Sequence, residues 1–228
     1  MPQSAWSSWW AEALAILAKE WRVELRARHA LATVALFATS SLVLVSMALG
    51  PLGADPAARP ILPALLWVLL LFTASAAIPR AFVHEEEVGT ARALRLAALP
   101  STVLFGKMAF VASLLVLVEL LLVPLFGVLL QWEVADPAAL VAALAAGGLG
   151  LAAGSTLVAA MVAHARGRGA LFPVLAFPVL IPLLVLAVGA SRSAAAGVPD
   201  DGALRLLLLY DGTVITAAAM LFAAVWEP

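Results

Sequence analysis

The sequence predicts an all-α polytopic membrane protein: six transmembrane helices, an amphipathic helix before the first, and a helix within one cytoplasmic loop. Three observations predict it. Of 228 residues, 64% are apolar and 12% charged, where soluble domains average about 45–50% and about 25%. The 13 basic and 14 acidic side chains cannot cover a water-soluble globule, so lipid is the expected solvent. Six apolar stretches, approximately 31–49, 61–79, 107–130, 138–163, 170–190 and 203–226, match the roughly 20 residues that cross about 30 Å of hydrocarbon as helix. Nearly all charges and the Gly/Pro punctuation fall between them, as in Gly50-Pro51-Leu52-Gly53-Ala54-Asp55-Pro56. The chain reads as one domain over 1–228.

A net charge of −1, with the basic residues clustered between apolar blocks, argues against a nucleic-acid partner. Without cysteine there is no disulfide, thiolate metal site or thiol redox chemistry. Six spans put both termini on one side together with residues 80–106 and 164–169. That side carries Lys19, Arg22, Arg26, Arg28, Arg80, Arg92, Arg95, Lys107, Arg166 and Arg168, and the other only Arg59, Arg192 and Arg205. The excess orients both termini to the cytoplasm. No cleavable signal peptide is expected, so the first span itself directs insertion.

Residues 6–28 carry Trp6, Trp10, Leu14, Leu17, Trp21 and Leu25 at spacings of three and four, one stripe of a helix. Glu12, Lys19, Arg22 and Arg26 fall opposite. Tryptophan favours the headgroup level and basic residues the inner leaflet, so this helix is expected along the inner surface, anchored by Trp6, Trp10, Trp21, Arg22 and Arg26. Glu20, Glu24 and Arg28 lie near the stripe and are candidates for contact with a partner or another helix.

Between the second and third spans the chain runs Arg80-Ala81-Phe82-Val83-His84-Glu85-Glu86-Glu87-Val88-Gly89-Thr90, then Ala91 to Leu99 and Pro100. Gly89 can break the chain, Thr90 is a good N-cap and Pro100 stops a helix, so a short helix of about ten residues is expected. Its leucines Leu94, Leu96 and Leu99 are too few to span and too apolar for a helix solvated all round, so they need a partner surface.

In the third span Glu119 is the one acid near a span centre, so it should face a helix or a wet cavity. Gly147, Gly148, Gly150 and Gly154 form a small-residue face for close packing in the fourth. Pro173, Pro178 and Pro182 each remove a backbone donor from the fifth, which is expected to kink or break. Asp211, in the sixth, lies towards the outer end, where either water could reach it or it serves a structural role between helices. No Gly-x-x-x-x-Gly-Lys-Ser/Thr phosphate loop occurs: Ser101 stands where Gly106-Lys107 would need a glycine, and Met108 follows.

The acidic cluster, Gly89-Thr90, the leucine-bearing helix, Pro100-Ser101 and Gly106-Lys107 are similar to the loop by which ABC-2-type exporter permeases dock on their nucleotide-binding subunit. Within that group the whole chain resembles the haem exporter protein B family (CcmB). The features that carry this are six spans with little else, the start Lys19-Glu20-Trp21-Arg22-Val23-Glu24-Leu25-Arg26, and Arg168-Gly169-Ala170-Leu171 running into Pro173, Pro178 and Ile181-Pro182-Leu183-Leu184. One departure is Arg92-Ala93, where such permeases often place an acid.

The resemblance implies a non-catalytic permease of cytochrome c maturation in the bacterial inner membrane. It implies four partners: an ABC ATPase (CcmA-like) that binds ATP-Mg, a haem-handling membrane protein (CcmC-like), a small membrane subunit (CcmD-like) and a haem chaperone (CcmE-like) released on the outer face. Glu85, Glu86, Glu87, Gly89, Thr90, Leu94, Leu99 and Pro100 would couple to the ATPase. Haem would be handled by the complex, with no cofactor bound directly. His29, His84 and His164 fall on the cytoplasmic side or edge, leaving no outer-face histidine for an axial ligand. A permease for a lipid, peptide or drug is the alternative. An intramembrane protease would need arginine where Glu86-Glu87 is followed by Ala91, and a structural scaffold is the remaining class.

Overall fold

A computed structural model describes residues 5–26, 28–77, 94, 96, 98–163, 168–198 and 200–226. Their main elements are seven α-helices: α1 (Ala5–Arg26), α2 (Arg28–Leu49), α3 (Leu62–Ala77), α4 (Pro100–Leu130), α5 (Pro137–Ala163), α6 (Arg168–Ala196) and α7 (Asp201–Trp226). Five of these, α2 and α4 to α7, are long and apolar enough to cross a membrane. The described part of α3 is an apolar helix of 16 residues.

Two helix boundaries differ from the sequence expectation. The third apolar helix starts at Pro100, seven residues before the expected span. Proline both ends the preceding segment and opens the next helix, because its fixed φ suits the first helical position and its missing donor would be unpaired there anyway. Leu99 before it is extended, with φ −68° and ψ 144°. At 31 residues, α4 is about 46 Å long, well beyond the hydrocarbon thickness. The fifth apolar helix continues to Ala196 because its polar turn finds partners: Ser191 accepts a hydrogen bond and Arg192 stays exposed.

Pro173, Pro178 and Pro182 do not break α6, which is one helix across all three. Beside them, the Tyr210 hydroxyl of α7 donates to the Val179 carbonyl at 2.7 Å, next to the Pro178 carbonyl that Pro182 leaves without its helical donor. Glycines at Gly50 (φ 67°) and Gly197 (φ 66°) supply the left-handed residue that ends α2 and α6.

The α2–α3, α4–α5 and α6–α7 connections gather at one end of the bundle. Ala135 and Asp136 donate their backbone N–H groups to Ala195 and Ala194, and Gly53 lies against the backbone of Leu130 and Gln131. The helix pairs therefore open towards the same side, and α5 stands at the centre, packed against α3, α4, α6 and α7. Every residue from 151 to 160 is buried.

Candidate functional site

The absent side chains of α5 make room for its neighbours. A β-carbon on Gly147 would stand 2.2 Å from Cη2 of Trp67 in α3, and one on Gly148 would stand 2.9 Å from Oε1 of Glu119 in α4. One on Gly150 would meet Oδ1 of Asp211 at 2.1 Å and Cδ1 of Leu183 at 2.4 Å, and one on Gly154 would meet Cδ2 of Leu180 at 2.9 Å. These glycines do not form one face. Successive residues turn by about 100°, so Gly148 and Gly150 point roughly oppositely and the cradle surrounds α5. Trp67 is locked in its slot, with Nε1 donating to Ser191 Oγ at 2.9 Å.

Both intramembrane acids lie on this cradle. Glu119 is 9% exposed and Asp211 2%. Counted along their helices from the connected end, both lie about 15–17 Å deep, at one level on opposite sides of α5. Of the two readings of Asp211, reached by water or structural, the fold has it buried, because Gly150 lets its carboxyl group sink between α5, α6 and α7. Neither Asp211 oxygen has a hydrogen-bond partner among the described residues, an arrangement that costs stability in an apolar setting.

At the other end α4 meets α1. Trp9 Nε1 donates to Ser101 Oγ at 3.1 Å, and the Thr102 hydroxyl lies 2.7 Å from the Leu99 carbonyl and 3.3 Å from Glu12 Oε2. A β-carbon on Gly106 would stand 2.8 Å from Ile16 Cβ and 2.9 Å from the Ala13 carbonyl. Lys107 Nζ donates to Glu20 Oε1 at 3.0 Å, with Lys19 Nζ 3.1 Å from the same oxygen. Trp21 Nε1 donates to Ser113 Oγ at 3.0 Å, its ring edge-on to Phe110. Residue numbers rise together on both sides, so the helices run parallel. The Lys107 side chain is 0% exposed.

The packed face of α1 is therefore Trp9, Ala13, Ile16 and Glu20. The expected apolar stripe is largely the outward one: Trp10, Leu14 and Leu25 are exposed, with Arg22 and Arg26, and Trp21 is half-buried. Trp6 lies in the first turn of α1. Of the three candidate contact residues near the stripe, Glu20 does meet another helix. The sequence reading missed its partner Lys107. A signal for it is the periodic match of Trp9, Ala13, Ile16 and Glu20 with Ser101, Gly106 and Lys107, three polar or small residues at the start of an otherwise apolar helix.

In the expected coupling loop, Glu85, Glu86, Glu87, Gly89 and Thr90 lie outside the described residues. Leu94 packs partly against the core, whereas Leu96 is 91% exposed and Leu99 is also exposed. Among the described residues, Leu96 and Leu99 are thus uncovered on the approach to Pro100.

The sequence model of the family described as CcmB protein matches residues 11–227. A relative from Bradyrhizobium diazoefficiens named Heme exporter protein B is 27% identical over 215 residues, covering 90% of this chain and 96% of that protein.

Proposed function

Because this chain belongs to the CcmB protein family, we propose that it is the permease subunit of an ATP-driven complex that handles haem for cytochrome c maturation. The match over nearly the whole chain carries this reading, and the relative named Heme exporter protein B supports its cargo. The chain crosses the inner membrane six times with both termini in the cytoplasm, α3 supplying the sixth crossing and α1 standing alongside the first half of α4 instead of lying flat on the inner surface. A separate ATPase docks on residues 85–100 and supplies the hydrolysis. Closure of that subunit pushes on the loop, and the displacement enters α4 at Pro100, where the leucine segment joins the helix directly.

Within the membrane, Glu119 and Asp211 couple helix movement around α5. The unpartnered carboxyl group of Asp211 supports this, since a purely structural position would be cheaper with an apolar residue. The outcome of the cycle is release of haem-loaded chaperone outside, with a haem-handling membrane protein and a small membrane subunit as neighbours.

The test is purification of the tagged protein from its native membrane in mild detergent, mass spectrometry of what accompanies it, and haem staining. An ATPase together with a haem-handling membrane protein is expected. An ATPase with another cargo would retain the permease and remove haem, and absence of any ATPase would overturn the reading. Replacing Glu85, Glu86 and Glu87 with alanine is expected to abolish ATPase association.

A further inference from the structure

α1 and α2 pack on α4 one after the other along its length. The contacts run from Trp9 on Ser101 to Trp21 on Ser113, and α2 continues them to Ser46, whose Oγ donates to the Leu129 carbonyl at 3.3 Å. A helix beside another over a purely apolar seam can slide or rotate at modest cost. A point charge pair cannot, and this one is placed beside a close approach in the seam, Gly106 on Ala13 and Ile16. Burying a lysine fully is costly, and an apolar pair would hold the helices at least as well. The charge pair therefore sets register in addition to holding the helices together.

We propose, resting on the permease reading above, that α1 and the first half of α4 form one rigid stalk. The Glu20–Lys107 pair fixes its register, so that displacement at Pro100 reaches the root of α2 as well as α4. Glu20 and Lys107 are positioning residues. The stalk moves as a unit, and α1 does not part from α4 during the cycle.

The absence of cysteine makes a clean test possible. In Ile16→Cys/Gly106→Cys the β-carbons would start 2.8 Å apart, and a small shift brings them to the roughly 3.5–4.5 Å of a disulfide. The complex with its ATPase is purified into nanodiscs, and coupled ATP turnover is read with the pair reduced and oxidised. Oxidation is expected to leave turnover within about twofold, since a rigid unit loses nothing by being locked. Lys107→Met is expected to lower turnover about tenfold with the bound amount of ATPase unchanged, because it removes the cation that ties Glu20 across the seam and leaves that carboxylate with Lys19 of its own helix. Oxidising the cysteine pair in the Lys107→Met background is expected to restore most of that loss, which a merely destabilised protein would not show.

Arrest of turnover by the lock alone would overturn the proposal, as would full activity of Lys107→Met or failure of the lock to rescue it. Should Lys107→Met not fold, the exchange Glu20→Lys/Lys107→Glu takes its place, with activity expected to be kept. Backbone hydrogen exchange of α1 separates the two levels of failure. Faster exchange in Lys107→Met that the disulfide reverses would uphold the stalk even if no ATPase accompanied the wild-type chain, and unchanged exchange would overturn it.

Discussion

Around α5, four helices are drawn in by side chains that are absent, whereas α1 is held to α4 by side chains that meet. Trp67, Glu119, Asp211 and Leu180 each occupy the space of a missing β-carbon. The α1–α4 seam instead joins Trp9 to Ser101, Glu20 to Lys107 and Trp21 to Ser113. The difference follows the solvent. Lipid tails compete equally well for apolar side chains, so helices within the bilayer gain from close approach at small residues. At the end of the bundle where α1 meets α4, paired polar groups can hold helices in a defined register.

The contrast can be broken most severely in the cradle. Gly150→Leu would place a side chain on Asp211 and Leu183, and a loss of about 3 kcal/mol or more is expected, read as a lowered unfolding temperature in detergent. An unchanged temperature would mean that α7 can move away from α5 freely.

Asp211→Asn sharpens the comparison by separating stability from activity. Removing an acid with no partner is expected to leave stability within about 1 kcal/mol of wild type, or raise it, while coupled turnover falls severalfold. Loss of stability with turnover retained would make Asp211 a structural group. Of single hydrogen bonds in the seam, Trp21→Phe removes one and is expected to cost about 1 kcal/mol with turnover little changed. A much larger loss would show that the indole anchors α1 beyond its bond to Ser113.

The cores of the spans were legible because a hydrocarbon solvent demands long apolar runs, and α2, α5 and α7 begin or end within three residues of the expected stretches. The start of α4 was not. Ser101, Gly106 and Lys107 look like loop residues until α1 is placed beside them, and Glu20 lies 87 residues from its partner. The packing face of α1 was hidden for a related reason: Trp9, Ala13, Ile16 and Glu20 are mixed in polarity, while the cleaner stripe of Trp10, Leu14 and Leu25 faces outward. The glycines of α5 announced close packing, but only the fold reveals that they point to different neighbours. The burial of Asp211 was not decided by the sequence, because depth along one helix says nothing of what the adjacent helix leaves open.

The enclosure of α5 also bears on how the protein is made. As α5 leaves the ribosome, the helices that will cover Gly150 and Gly154 have yet to be synthesised, so its bare backbone first meets lipid or the insertion machinery. Only when α6 and α7 follow can that surface close. A chain truncated before Asp201 would leave the Gly150 side of the cradle open, a ready mark for membrane quality control.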